Sequence, residues 1–177
     1  MLFRSSRLAP AGTYVEIFHD FSSPFSYLGC QHAARLLEER GVEVRWRPML
    51  LGALFKSIGA PMVPLFEMNA AKRAYMGKDL QDWARYWDVP FTFPETFPLN
   101  SVTALRLALL QPALTMPLYR AAWGEGRNIG DREVLSEVVV AAGFDLDLLA
   151  RTQDPEIKSA LRTNTEDAQN AGAFGAP

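Results

Sequence analysis

At 177 residues, with 49% hydrophobic and 21% charged residues, the chain suits one globular domain with a real core, or one domain carrying a large insertion. A formal net charge of −2 supplies no basic field for nucleic acid or an anionic membrane, and no apolar run is long enough to span a bilayer. Cys30 is the only cysteine and His19 and His32 the only histidines, which excludes an internal disulfide, a C-x-x-C redox cycle and a cysteine-rich zinc site, and points to a reducing, cytoplasmic setting.

Residues 1–12 hold two arginines but no sustained apolar stretch, so they read as a loose tail rather than a secretory signal. Residues 13–21 alternate as a strand with apolar side chains on both faces, the pattern of a central, doubly covered strand. Ser23 then stands in N-cap position before Pro24, the favoured first helical residue. The helix runs to about Arg40, with Phe25, Leu28, Leu36 and Leu37 as its buried stripe and Gly41 as its stop. Residues 42–48 form a second strand, so the unit is βαβ with parallel strands. The corner Ser23-Pro24-Phe25-Ser26 has the spacing of a C-x-x-C motif with oxygen in place of both sulfurs. Such a corner aims backbone N–H groups and the positive end of a helix dipole at whatever lies above it, which suits an anion.

Beyond about Leu50 the pattern is helical for more than a hundred residues. One long helix is predicted from Leu65 to Trp87, ended by Asp88-Val89-Pro90, and a stiff proline and aromatic loop follows over 91–98. Asn100 or Ser101 caps a helix through Leu110, and another runs from about Pro112 to Trp123. Asp131 caps a helix to Ala142, Asp145 starts a short one, and Pro155 opens one to about Asn170. Lys72/Arg73 and Arg45/Arg47 are short basic pairs that suit one small anionic ligand. The end, Ala171 to Pro177, reads as the approach to a further strand, and two strands make a poor sheet, so the chain is expected to be a fragment.

The corner Asp20-Phe-Ser-Ser-Pro-Phe-Ser-Tyr-Leu-Gly29 resembles the DsbA-like thioredoxin superfamily, in the branch of 2-hydroxychromene-2-carboxylate isomerase and kappa-class glutathione transferase. Gly52–Gly59, Lys72–Leu80, Pro90–Pro94, Trp123–Gly126 and Gly172–Pro177 are similar to further landmarks of that branch, in order. The fold class it implies is α/β: a thioredoxin-like βαβ unit (13–52 and 171–177) with a large all-helical insertion (53–170), truncated at the cis-proline before the last strands and helix.

The resemblance also implies an enzyme: a glutathione-dependent isomerase of aromatic catabolism, homodimeric, free of metal, nucleic acid and membrane, whose partners are glutathione and a small aromatic carboxylate. Read alone, Ser23 is only a helix cap and Lys72 a solvated lysine. The resemblance makes Ser23 the hydroxyl that stabilises the glutathione thiolate, which adds to a conjugated carbon, lets the former double bond rotate, and is expelled to leave a trans-benzylidenepyruvate. It places Pro24, Phe25 and Lys72 against glutathione, with Ala176 and Pro177 at the cis-proline presenting backbone to the tripeptide. Lys56 and Arg73 are candidates for a substrate carboxylate, and Phe97, with Phe91, Phe93, Trp83 and Trp87, for an aromatic wall. Ala60 departs from the kappa pattern, which has asparagine there. The alternatives are a kappa-type transferase or an inactive, binding-only DsbA-like module.

Overall fold

Two six-residue strands and the helix between them form the frame on which the rest is hung. In the computed structural model, which describes residues 10–177, β1 (Tyr14–His19) and β2 (Glu43–Pro48) pair in parallel from Tyr14↔Glu43 to His19↔Pro48. The crossover helix α1 (Pro24–Glu38) starts at an extended Ser23 and stops before Gly41, whose φ of +67° is the left-handed turn that glycine adopts without strain. The first nine residues of the expected 1–12 tail lie outside the described residues.

After β2 come α2 (Leu51–Ser57), a 3-10 turn (Pro64–Glu67) and α3 (Ala70–Tyr86). Next are α4 (Val102–Leu110) and α5 (Thr115–Tyr119), the latter running into a π-turn over Arg120–Gly124. The last elements are α6 (Arg132–Ala141), α7 (Asp147–Arg151) and α8 (Pro155–Asn170). Helix α8 returns to the sheet. Arg47 reaches its Asn164 (2.9 Å) and Asp167 (2.5 Å), and Leu50 N–H donates to Thr165 Oγ1 at 3.0 Å. The main core gathers Phe21, Tyr27, Leu80, Leu105, Tyr119, Trp123 and Ile129, and a smaller cluster of Met49, Leu51, Leu54 and Ala168 seals α2 to α8.

Four expectations are corrected. β1 is not covered on both sides: among the described residues it pairs only with β2, and Tyr14 and Val15 are 48% and 38% exposed. The helix predicted over Leu65–Trp87 is broken, because Asn69 Oδ1 accepts the Lys72 N–H at 2.9 Å and begins a new helix there. The helix predicted over Pro112–Trp123 is a 3-10 turn, one short α-helix and a π-turn, closed by Glu125 N–H donating to Arg120 O at 2.9 Å. Phe25, placed on the buried stripe of α1, is 43% exposed and faces a cavity instead.

Candidate active site

The candidate site begins at the turn from β1 to α1. Ser23 is the N-cap of α1 with Pro24 in the first turn, as local propensity dictates. Its Oγ accepts the Ser26 N–H at 3.1 Å, and its own proton points toward the Ala176 carbonyl at 3.4 Å. That second distance is well beyond the ordinary hydroxyl hydrogen bond of about 2.7–2.8 Å, so the donor is underused. The next residue, Pro177, follows a cis peptide and packs against Gly29 of α1. A Cβ at position 29 would lie 2.7 Å from Pro177 Cγ. Gly29→Ala is therefore expected to cost about 1–3 kcal/mol as an overpacked contact and to shift Ala176 away from Ser23; urea unfolding checks the first part.

Asp20 anchors the turn from inside. It is wholly buried, with Oδ1 accepting the Ser22 N–H at 2.9 Å and Oδ2 the Leu51 N–H at 2.8 Å, which ties the corner to the first residue of α2. Burial pushes its carboxyl up, and the Ser101 hydroxyl and these two N–H groups oppose that.

Behind the turn lies a buried polar cluster. Ser26 Oγ is 2.7 Å from the Tyr119 hydroxyl, and Tyr119 is 3.2 Å from His19 Nδ1 and 3.8 Å from Cys30 Sγ. Burial holds the His19 imidazole down to about 3 and pushes the Cys30 thiol up to about 11, so His19 is neutral and Cys30 an inert thiol. The His19 shift has a stability consequence. The unfolded imidazole binds a proton below its ordinary pKa while the folded one does not, so the stabilisation is full above about 6.5 and is lost as pH falls toward 3. Unfolding free energy is expected to drop by about 2 kcal/mol from pH 7 to pH 5, and His19→Phe to remove most of that slope.

Above the turn opens a cavity of about 630 Å³. Ser22, Ser23, Pro24 and Phe25 line it, as do Leu51 and Phe55 of α2 and Met62, Leu65 and Met68 of the 58–69 segment. Phe93, Phe97, Asn100 and Ser101 complete the wall, and Arg73 is the cation in its lining. Its guanidinium also donates to Met68 O at 3.0 Å.

The structure therefore brings Ser23, Pro24, Phe25, Arg73 and Phe97 together around one space, with Ala176 against Ser23 and Pro177 behind it. Lys56 and Lys72 are exposed and are not among the lining residues. Of the other aromatic candidates only Phe93 reaches the cavity. Phe91 stacks on Trp123 behind the wall, and Trp83 and Trp87 form a separate cluster with Tyr86 and His32. Sequence reasoning missed Asp20, Ser101, Tyr119 and the Trp123 indole, which donates to Phe21 O at 2.7 Å. Among the described residues no cluster of three His, Cys, Asp or Glu side chains suits a metal ion, and no helix is long and apolar enough to cross a membrane.

A parallel βαβ unit with a capped corner of this kind, continued by a large helical segment, agrees with a DsbA-like thioredoxin fold. Residues 14–177 match the DSBA-like thioredoxin domain, and the chain belongs to that family. Among named relatives it is 28% identical over 183 residues to glutathione S-transferase kappa 2 of Caenorhabditis elegans, covering 95% of this chain and 80% of that protein. It is 27% identical over 168 residues to 2-hydroxychromene-2-carboxylate isomerase of Sphingobium xenophagum, covering 92% and 86%. A solved structure of a 2-hydroxychromene-2-carboxylate isomerase shares the fold, with a TM-score of 0.85 at 24% identity over 93% of this chain and 83% of that one. The chain is thus related to both isomerases and glutathione transferases.

Proposed function

We propose that the protein is a glutathione-dependent enzyme of the 2-hydroxychromene-2-carboxylate isomerase type, in which Ser23 holds the sulfur of the tripeptide as a thiolate. One observation carries the reading: the Ser23 oxygen is occupied as an acceptor by the Ser26 N–H, while its proton has only a distant carbonyl to meet. A donor left in that state, at the start of a fifteen-residue helix, fits a sulfur anion at the cavity floor. The match to the isomerases and kappa transferases supports glutathione as the source of that sulfur.

When bound, glutathione supplies a nucleophile that adds reversibly to a conjugated carbon and leaves once the former double bond has rotated. The residues of the chain do the rest. Ser23 donates to sulfur and lowers a thiol pKa that is ordinarily about 8.5, without itself losing a proton. Arg73 offers the lining's positive charge to a substrate carboxylate or a developing enolate. Phe93, Phe97, Met62 and Leu65 exclude water and hold a flat apolar body. Lys56 and Lys72, outside the lining, have no part in this scheme. A homodimer in a reducing compartment belongs to the same reading, and light scattering checks the assembly.

A kappa-type transferase is the second reading, favoured by a wall so nearly apolar that many hydrophobic electrophiles suit it. Incubating the protein with glutathione and the chromene should give the trans isomer, with glutathione returned unchanged. Brisk conjugation of a model electrophile without isomerisation would select the transferase. Absence of both, with no heat of glutathione binding in calorimetry, would refute the reading and leave the binding-only module.

A further inference from the structure

The Ser23–Ser26 turn carries two hydroxyls, and only that of Ser23 borders the cavity. Ser26 is wholly buried, and its oxygen accepts the Asp20 N–H at 3.4 Å and lies 2.7 Å from the Tyr119 hydroxyl. Tyr119, equally buried, also touches His19 Nδ1 at 3.2 Å.

The proton directions follow. His19 Nε2 has no polar partner among the described residues, and its ring meets Phe21 and Trp46 in T-shaped contacts. We assign the imidazole proton to Nε2, which leaves Nδ1 to accept from Tyr119. Tyr119 donates to Nδ1, so its oxygen is free to accept the Ser26 proton. Ser26 is thereby turned inward, away from the cavity, while its backbone N–H stays aimed at Ser23 Oγ.

We propose that Tyr119 and His19 are positioning residues that select between the two serines: they draw the Ser26 proton into the core, pin the first turn of α1, and leave the Ser23 proton as the one directed at the ligand sulfur. This rests on the reading of Ser23 given above. Neither residue lines the cavity, and both act through Ser26. The titratable groups facing Tyr119 are His19 on β1, Asp20 in the turn, and Tyr27 and Cys30 on α1. All four are retained in the variants below, so their own titration cancels in the comparison.

The test is a pH titration of the ultraviolet thiolate absorbance of bound glutathione, in the native protein, Tyr119→Phe, Ser26→Ala and the double variant. Each single change is expected to raise the thiol pKa by about half a unit, roughly threefold less thiolate at a pH below it. The double variant should raise it no further, since both changes break one chain of hydrogen bonds. A purely structural role predicts a lower melting temperature with the thiol pKa unmoved, and that result overturns the proposal. Should Tyr119→Phe fail to fold, Ser26→Ala removes the same hydrogen bond from its other end, and an unshifted pKa in that variant is equally fatal. Ser23→Ala separates the two layers. If it leaves the pKa unmoved, the reading of the site fails. If it raises the pKa while Tyr119→Phe and Ser26→Ala do not, only the positioning role fails.

Discussion

Ser23→Ala is expected to lower kcat/KM by about a hundredfold or more at neutral pH, the usual cost of removing one donor aimed at negative charge. The deficit should shrink as pH rises, because the thiol then ionises unaided near its ordinary value of about 8.5. The same change removes a helix cap and costs about 0.5–2 kcal/mol of stability, so activity must be read on protein shown to be folded. Ser23→Thr keeps hydroxyl and cap, and should recover most of the activity. A Ser23→Ala protein with the native pH profile would remove the hydroxyl from the chemistry.

The largest expected loss of stability comes from Trp123. Its ring is fully buried, stacks on Phe91 at 6.0 Å and 6°, and meets Phe93 and Phe97 at 5.5 and 6.2 Å. Trp123→Ala should destabilise by about 3–5 kcal/mol, the range for truncating a large buried aromatic. Trp123→Phe keeps most of the packing but leaves the Phe21 carbonyl without its indole partner, for about 1–3 kcal/mol. Because Phe21 lies two residues before Ser23, the Phe variant should also weaken glutathione binding. Denaturant titration measures the first effect and calorimetry the second; a Trp123→Ala loss below about 1 kcal/mol would contradict the packing argument.

What was legible in the chain was local. Ser23 before Pro24, Gly41, Asp131 and Pro155 each mark a helix end through the chemistry of one or two residues, and each stands where expected. The parallel pairing followed from the handed crossover that joins the strands. What was not legible depends on distance along the chain. Asp20 meets Leu51 across 31 positions and Ser26 meets Tyr119 across 93, and no spacing announces such pairs. Lys72 illustrates the converse: it follows a good cap and stands beside Arg73, yet of the two only Arg73 lines the cavity. Apolar alternation along β1 reports its faces and not the number of neighbouring strands, and among the described residues β1 pairs only with β2.

The part of the lining formed by Met62, Leu65 and Met68 has a consequence of its own. Among the described residues, residues 60–68 hydrogen-bond only to near neighbours in the chain, such as Ala60 N–H to Phe55 O and Phe66 N–H to Val63 O, and none of these bonds reaches the Ser23 turn. Backbone hydrogen bonds thus hold this segment apart from the Ser23 turn, and the two are joined through side-chain packing such as Phe66 against Phe97. Substitutions at Met62, Leu65 and Met68 are expected to change which molecules enter the cavity more than they change the Ser23 turn.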